Sequence, residues 1–171
     1  MRRDMQRSIK IETHFLRPPY KIEEKIKSHG DEQQRTTNVY ADVTNWHLEL
    51  DDTYKSITGH IHENYPNHTI KELWGCAYKQ GDFTKTHNHH GFDRAFVWFV
   101  DTSPTCSPLI FPDPEHPWMP PIHVIRPENG KIVVFEGIQL HYVPPQVNHY
   151  ERVVMSGNMR LNGVPIEYNC N

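Results

Sequence analysis

The stretch Gly81-Asp-Phe-Thr-Lys-Thr-His-Asn-His-His-Gly91 sets two imidazoles, His87 and His89, two residues apart. On a β-strand, residues two apart project from one face. A His-x-His pair on a strand therefore offers two nitrogen donors to one cation, while His90 points away or begins the turn at Gly91. A third donor has to come from a distant segment, and His141 is the best candidate. It follows the Gly-led apolar run Gly130-Lys-Ile-Val-Val-Phe135, and Val143 shares its face. Two donors from one strand and one from another is the layout of an open, facial iron site. The chain holds 13 His in 171 residues, a density that itself points towards metal chemistry. The pair His60-Ile61-His62 repeats the spacing within a predicted helix, where residues two apart diverge, so it is expected to hold nothing. His116, His123 and His149 lack a partner at such a spacing and are expected on the surface or in loops.

These donors need a scaffold, and the chain changes period near residue 70 to supply one. Segments 71–79, 83–89, 94–101, 107–111, 122–126, 131–135, 140–143, 150–156 and 159–166 are short and rich in Val, Ile and aromatics. Gly, Pro, Asn or Asp bounds each of them, so they read as strands. Ten of the 14 Pro lie between Pro104 and Pro145, which forbids long helix there and suits an antiparallel architecture with many corners. The N-terminal third reads as helical. Residues 20–28 form an amphipathic piece after Pro18-Pro19, ended by Gly30, and residues 36–42 read as a polar loop. Leu50, Tyr54, Ile57 and Ile61 then mark one face of a second helix that Asp51 or Asp52 caps and Pro66 stops. The expected fold is mainly β: a double-stranded β-helix, or jelly roll, with the N-terminal helices packed on one outer face. One domain over 1–171 is expected, with 1–69 as helical support and 70–167 as the core. Residues 102–121 are too long for a hairpin, and with Phe111 and Trp118 they are the candidate substrate lid.

The C-terminal block Pro127-Glu-Asn-Gly-Lys-Ile-Val-Val-Phe-Glu-Gly-Ile-Gln-Leu-His141-Tyr-Val-Pro-Pro, followed by Arg152-Val-Val-Met-Ser156-Gly-Asn158, resembles the 2-oxoglutarate- and Fe(II)-dependent oxygenases. The likeness is greatest to the small prolyl-hydroxylase-like members of phage or bacterial type. In that family a Gly-led strand precedes the distal iron-binding His, and a basic residue about ten positions later holds the far carboxylate of 2-oxoglutarate. Here Arg152 stands 11 residues after His141, and Tyr78, nine before His87, matches a co-substrate-binding Tyr. The resemblance covers about residues 70–160. It implies Fe(II) at His87, His89 and His141, 2-oxoglutarate as co-substrate at Arg152 and Tyr78, and dioxygen as oxidant. The implied reaction couples decarboxylation of 2-oxoglutarate to substrate oxidation, with hydroxylation as its outcome. Physical chemistry agrees on Arg152, whose planar and permanently charged fork suits bidentate carboxylate binding. Val154 and Ser156 share its strand face, so Ser156 can add a hydroxyl to the same carboxylate.

One departure stands out. The family has Asp or Glu where this chain has His89. Asp93 is the other candidate, but on an extended strand it lies about 13 Å beyond His89, so His89 is favoured. Two other classes stay open. Gly81, five residues and His87-x-His89 also fit the start of the cupin signature, again with His141 as the last ligand. A metal-binding jelly-roll module without turnover is the third.

Composition narrows the remaining classes. The net charge of −3 lacks the basic footprint of a dedicated nucleic-acid binder. No apolar run approaches the ~20 residues of a membrane span, and MRRDMQRSIK lacks the apolar core of a secretory signal. Three Cys (Cys76, Cys106, Cys170) are too few and too scattered for a disulfide framework, which suggests a reducing, cytoplasmic setting. The substrate, whether small molecule or peptide or protein side chain, is not legible. Eight Lys/Arg against four Asp/Glu in the first 27 residues suit an acidic partner or a solvated face.

Overall fold

The computed structural model describes residues 9–29 and 38–164. Two antiparallel sheets carry the fold. In chain order the strands are β1 (Ile11–Phe15), β2 (Val39–Tyr40), β3 (Asp42–Val43), β4 (His68–Tyr78), β5 (Phe83–His87), β6 (Arg94–Asp101), β7 (Leu109–Phe111), β8 (His123–Ile125), β9 (Lys131–Glu136), β10 (His141–Val143) and β11 (Arg152–Leu161). The larger sheet runs β1-β9-β6-β11-β4-β3 and the smaller β2-β5-β10-β7-β8. Two helices, α1 (Ile22–His29) and α2 (Lys55–Asn64), complete the scaffold. This is a double-stranded β-helix with helices against one sheet, as expected.

Period-2 alternation explains how the large sheet buries both faces. On β4, β6, β9 and β11, Leu73, Trp98, Val134 and Met155 face the helices, where Ile22, Ile26, Ile57 and Ile61 cover them. Their neighbours Trp74, Phe99, Phe135 and Val154 face the second sheet. Each large side chain so enclosed contributes about 1.5–3 kcal/mol. The helices therefore brace the outer face, and the inner face is left to line a site.

Several expectations need correction. The N-terminal third is not purely helical, because β1 pairs along β9 from Ile11↔Phe135 to Phe15↔Lys131. Part of the expected polar loop forms β2 and β3, which sit on the edges of different sheets. Leu50 does not belong to the buried helix face. It lies in a 3-10 turn and is exposed, whereas Tyr54, Ile57 and Ile61 are buried. Asp51 does cap, accepting a hydrogen bond from the Thr53 amide. The last two expected strands are one, β11, with a register irregularity between Asn158 and Met159. The expected helix stop at Gly30, the first eight residues and Cys170 lie outside the described residues, and Cys76 and Cys106 are buried free thiols. Among the described residues no helix is long and apolar enough to cross a membrane.

Candidate metal centre

Strand pairing brings the first two histidines together. β5 and β10 run antiparallel with His87 directly opposite His141, and their ring centroids lie 4.3 Å apart. His89 arrives by another route than the expected strand face. β5 ends at His87, and His89 lies in the following loop, where its backbone N–H donates to the Gly137 carbonyl at 2.7 Å. The Gly137 N–H in turn donates to the Asp93 carbonyl at 3.0 Å, so the loop is clamped onto the β9–β10 turn. Only a glycine allows this approach: a Cβ at 137 would stand 2.0 Å from the Phe92 carbonyl oxygen and 3.0 Å from that of His89.

One ligating nitrogen from each of His87, His89 and His141 falls within 4.8 Å of the others, with no carboxylate in the group. The His87 Nδ1–H donates to the Lys85 carbonyl at 2.7 Å, and the His141 Nδ1–H to the Gln139 carbonyl at 2.9 Å. A carbonyl only accepts, so both rings carry their proton on Nδ1 and keep the Nε2 lone pair for the centre. Burial lowers all three imidazole pKa values, that of His89 to about 3 and that of His141 well below its ordinary value. The cluster therefore stays neutral at pH 7, as donors to a cation must. Asp93 takes no part. Its carboxylate accepts the Leu161 amide at 2.7 Å and is outside the cluster.

Arg152, Tyr78 and Ser156 line the same narrow cleft as the three histidines. Register explains the neighbourhood, since Arg152 stands opposite Tyr78 across the β11–β4 ladder and Ser156 opposite Trp74. The Arg152 guanidinium is 1% exposed and stacks over the Tyr78 ring at 4.8 Å and the Phe99 ring at 5.3 Å. Its Nε donates to the Ser107 carbonyl at 3.1 Å, yet one terminal nitrogen is buried with no hydrogen-bond partner. The Tyr78 hydroxyl lies 2.7 Å from the Thr84 hydroxyl, and burial pushes its pKa up. Burial likewise holds the Cys76 thiol, in the same wall, at about 12, so it stays protonated.

The candidate lid needs revision. Phe111 is fully buried, packed edge-on against Phe135 with centroids 5.2 Å apart, and is core rather than lid. Trp118 is exposed and set against His116. Sequence reasoning assigned no role to Ser107, whose carbonyl anchors Arg152, or to Thr84, which holds Tyr78. Neither has a spacing signature. His60 and His62 sit on α2, away from the cluster.

No family model matches the chain, and no curated protein matches it in sequence. Solved structures do match in fold, and they are 2-oxoglutarate/Fe(II) oxygenases. A Pseudomonas putida prolyl-4-hydroxylase superposes with a TM-score of 0.63 at 16% identity, over 91% of this chain and 94% of its own. HygX from Streptomyces hygroscopicus, solved with iron bound, gives 0.63 at 7% identity over 92% and 84%. The α-ketoglutarate-dependent carbocyclase SnoK of nogalamycin biosynthesis gives 0.63 at 8% identity over 88% and 79%. At such identities the likeness establishes the shared fold.

Proposed function

We propose that the protein is an Fe(II)- and 2-oxoglutarate-dependent oxygenase whose outcome is substrate hydroxylation. One observation carries the reading. A buried guanidinium with an unpartnered nitrogen shares a cleft with three neutral imidazoles whose ligating atoms converge. A buried guanidinium nitrogen left without an acceptor costs about 1–3 kcal/mol unless a ligand meets it, and a dicarboxylate keto acid does so. Imidazole donors suit iron.

In this reading His87, His89 and His141 hold Fe(II), and the Arg152 fork takes the far carboxylate of 2-oxoglutarate with Ser156 beside it. Tyr78 stacks under the guanidinium and keeps the cleft dry. Bound iron with 2-oxoglutarate and dioxygen supplies the oxidation, coupled to decarboxylation of the keto acid. Three neutral donors leave the full dication charge in place, which favours an anionic chelator over water. The cleft holds about 30 Å³, so seating the keto acid requires wall side chains to swing aside. Two buried free thiols suit a reducing, cytoplasmic setting.

The test is anaerobic addition of Fe(II) and then 2-oxoglutarate. Bidentate chelation gives a visible charge-transfer band, and admission of oxygen gives succinate. A metal-loaded protein with no band favours the cupin-type three-His reading, in which Arg152 has no partner. Failure to take up metal overturns both.

A further inference from the structure

The β4–β11 ladder continues beyond the histidines. From Arg152↔Tyr78 it passes Val154↔Cys76 and Ser156↔Trp74 to Asn158↔Glu72, the last pair before the register irregularity. Six residues of strand span roughly 20 Å. An outer chamber of about 440 Å³ opens at the Glu72 end, and His87, His89, Trp74 and Val39 line both it and the inner cleft. The histidine cluster thus lies between two cavities of different chemistry. The inner one is governed by a buried cation, and the outer one has Glu72 as the one carboxylate among the described residues that line it.

Glu72 and Asn158 present acceptors to the outer chamber. The Asn158 side chain, 2% exposed, donates its amide to Glu72 Oε2 at 2.7 Å, and its Oδ1 is buried with no partner. Trp46 and Trp74 form an aromatic wall with centroids 4.3 Å apart, and Trp74 lies 6.0 Å from the His89 ring. Phe92 lines the chamber too. Arg160 stacks over the Phe92 ring at 5.2 Å, and among the described residues no Lys or Arg is in the lining. A carboxylate, an unpaired amide oxygen and indole faces together select a cationic nitrogen bearing N–H donors.

We infer that the outer chamber binds the ammonium or guanidinium group of the substrate, so that the protein acts on a basic amino acid, free or within a peptide. This rests on the proposed function for the identity of the reaction, but not for the binding itself. Glu72 and Asn158 receive the N–H donors, and Trp46 and Trp74 cover the apolar stem. The anionic co-substrate and the cationic substrate then approach the histidines from opposite ends of the 152–158 stretch of β11.

Binding is read in metal-free protein by tryptophan fluorescence, since two of the four Trp lie in the wall. The probes are L-arginine against its neutral isostere L-citrulline, L-lysine against L-norleucine, and acetyl-Gly-Arg-Gly-amide for the peptide source. Saturable binding of a cation at least about tenfold tighter than its neutral partner is expected, with Glu72→Gln erasing that preference. Trp46→Leu, at a half-buried wall position, weakens all the cations by a similar factor. Tighter binding by the capped tripeptide than by L-arginine assigns a peptide source, and the reverse order a free amino acid. Equal binding of charged and neutral probes, a preference that survives Glu72→Gln, or no saturable response at millimolar concentrations overturns the inference. The two readings fail separately. Loss of the keto-acid band with cation preference intact sinks the oxygenase and spares the site, and the converse sinks only the site.

Discussion

His89 and His141 meet through their Nε2 atoms, 3.2 Å apart, although 52 residues separate them in sequence. One comes from a loop clamped to Gly137 and the other from β10. The Nδ1–H of His141 is committed to the Gln139 carbonyl, so its Nε2 presents a lone pair. The two nitrogens are thus at the separation of ligands sharing one ion.

Removing a ligand leaves two donors and an incomplete site. His87→Ala and His141→Ala are each expected to lose Fe(II) after anaerobic loading and desalting, while His60→Ala and His62→Ala on α2 retain it. Iron content of the four purified variants measures this. Full occupancy in both ligand variants would remove the assignment.

Exchanging the third ligand separates His89 from Asp93. His89→Asp restores a two-His, one-carboxylate set and is expected to retain iron, and His89→Ala to bind it at least tenfold more weakly. Asp93→Ala should load normally and lose only the Leu161 hydrogen bond, about 1 kcal/mol in a urea melt. Loss of iron in Asp93→Ala with retention in His89→Ala would exchange their roles.

Arg152 is expected to act on the keto acid and not on the metal. Arg152→Met keeps apolar volume against Tyr78 and Phe99 and removes the charge. Its affinity for 2-oxoglutarate, titrated on the charge-transfer band, should fall by ~2–5 kcal/mol, roughly thirtyfold or more, with iron content unchanged. Unchanged affinity would leave the buried guanidinium without a ligand role.

Metal-free protein should lose stability as pH falls below about 6.5. Above that value neither the folded nor the unfolded state protonates these rings. Below it the unfolded chain takes protons that buried His89, with a pKa near 3, refuses, so the slope runs against the native state. Each such group contributes at most about 1.4 kcal/mol per pH unit. Urea melts in chelator from pH 7.5 to 5, above the carboxylate range, should show a shallower loss in His89→Gln than in wild type. His60 and His68 are also lowered, but they contribute equally to both proteins. Identical slopes would contradict the burial of His89.

The legible parts were those that depend on near neighbours in sequence. Arg152, Val154 and Ser156 alternate on one strand face, and their shared cleft follows from that period alone. Gly157 misled. It reads as a break between two strands, but β11 runs through it, and its missing Cβ makes room for the Phe96 ring, whose Cζ would lie 2.4 Å away. β1 escaped because its five residues are defined by pairing with β9, about 120 residues distant, and β2 and β3 because two residues hold no period. His89 was chosen correctly as a residue of the cluster on an incomplete premise, since a loop clamp and not a strand face places it. Glu72 and Asn158 carried no signal at all, because only the β4–β11 register makes them neighbours.

β2 and β3 are separated by Ala41 alone, yet they close one edge of each sheet, pairing with β5 and β4 respectively. Val39, at the start of this crossing, lines both cavities, and Trp46, just beyond it, walls the outer one. The crossing is held by two ladder pairs on each side, while the three clustered histidines and Arg152 are carried on other elements. The wall at Val39 and Trp46 thus comes from a different chain segment than the histidine cluster, although Val39 borders both cavities. Exchange of Trp46 alone would therefore reshape the outer chamber while leaving every side chain of the histidine cluster in place.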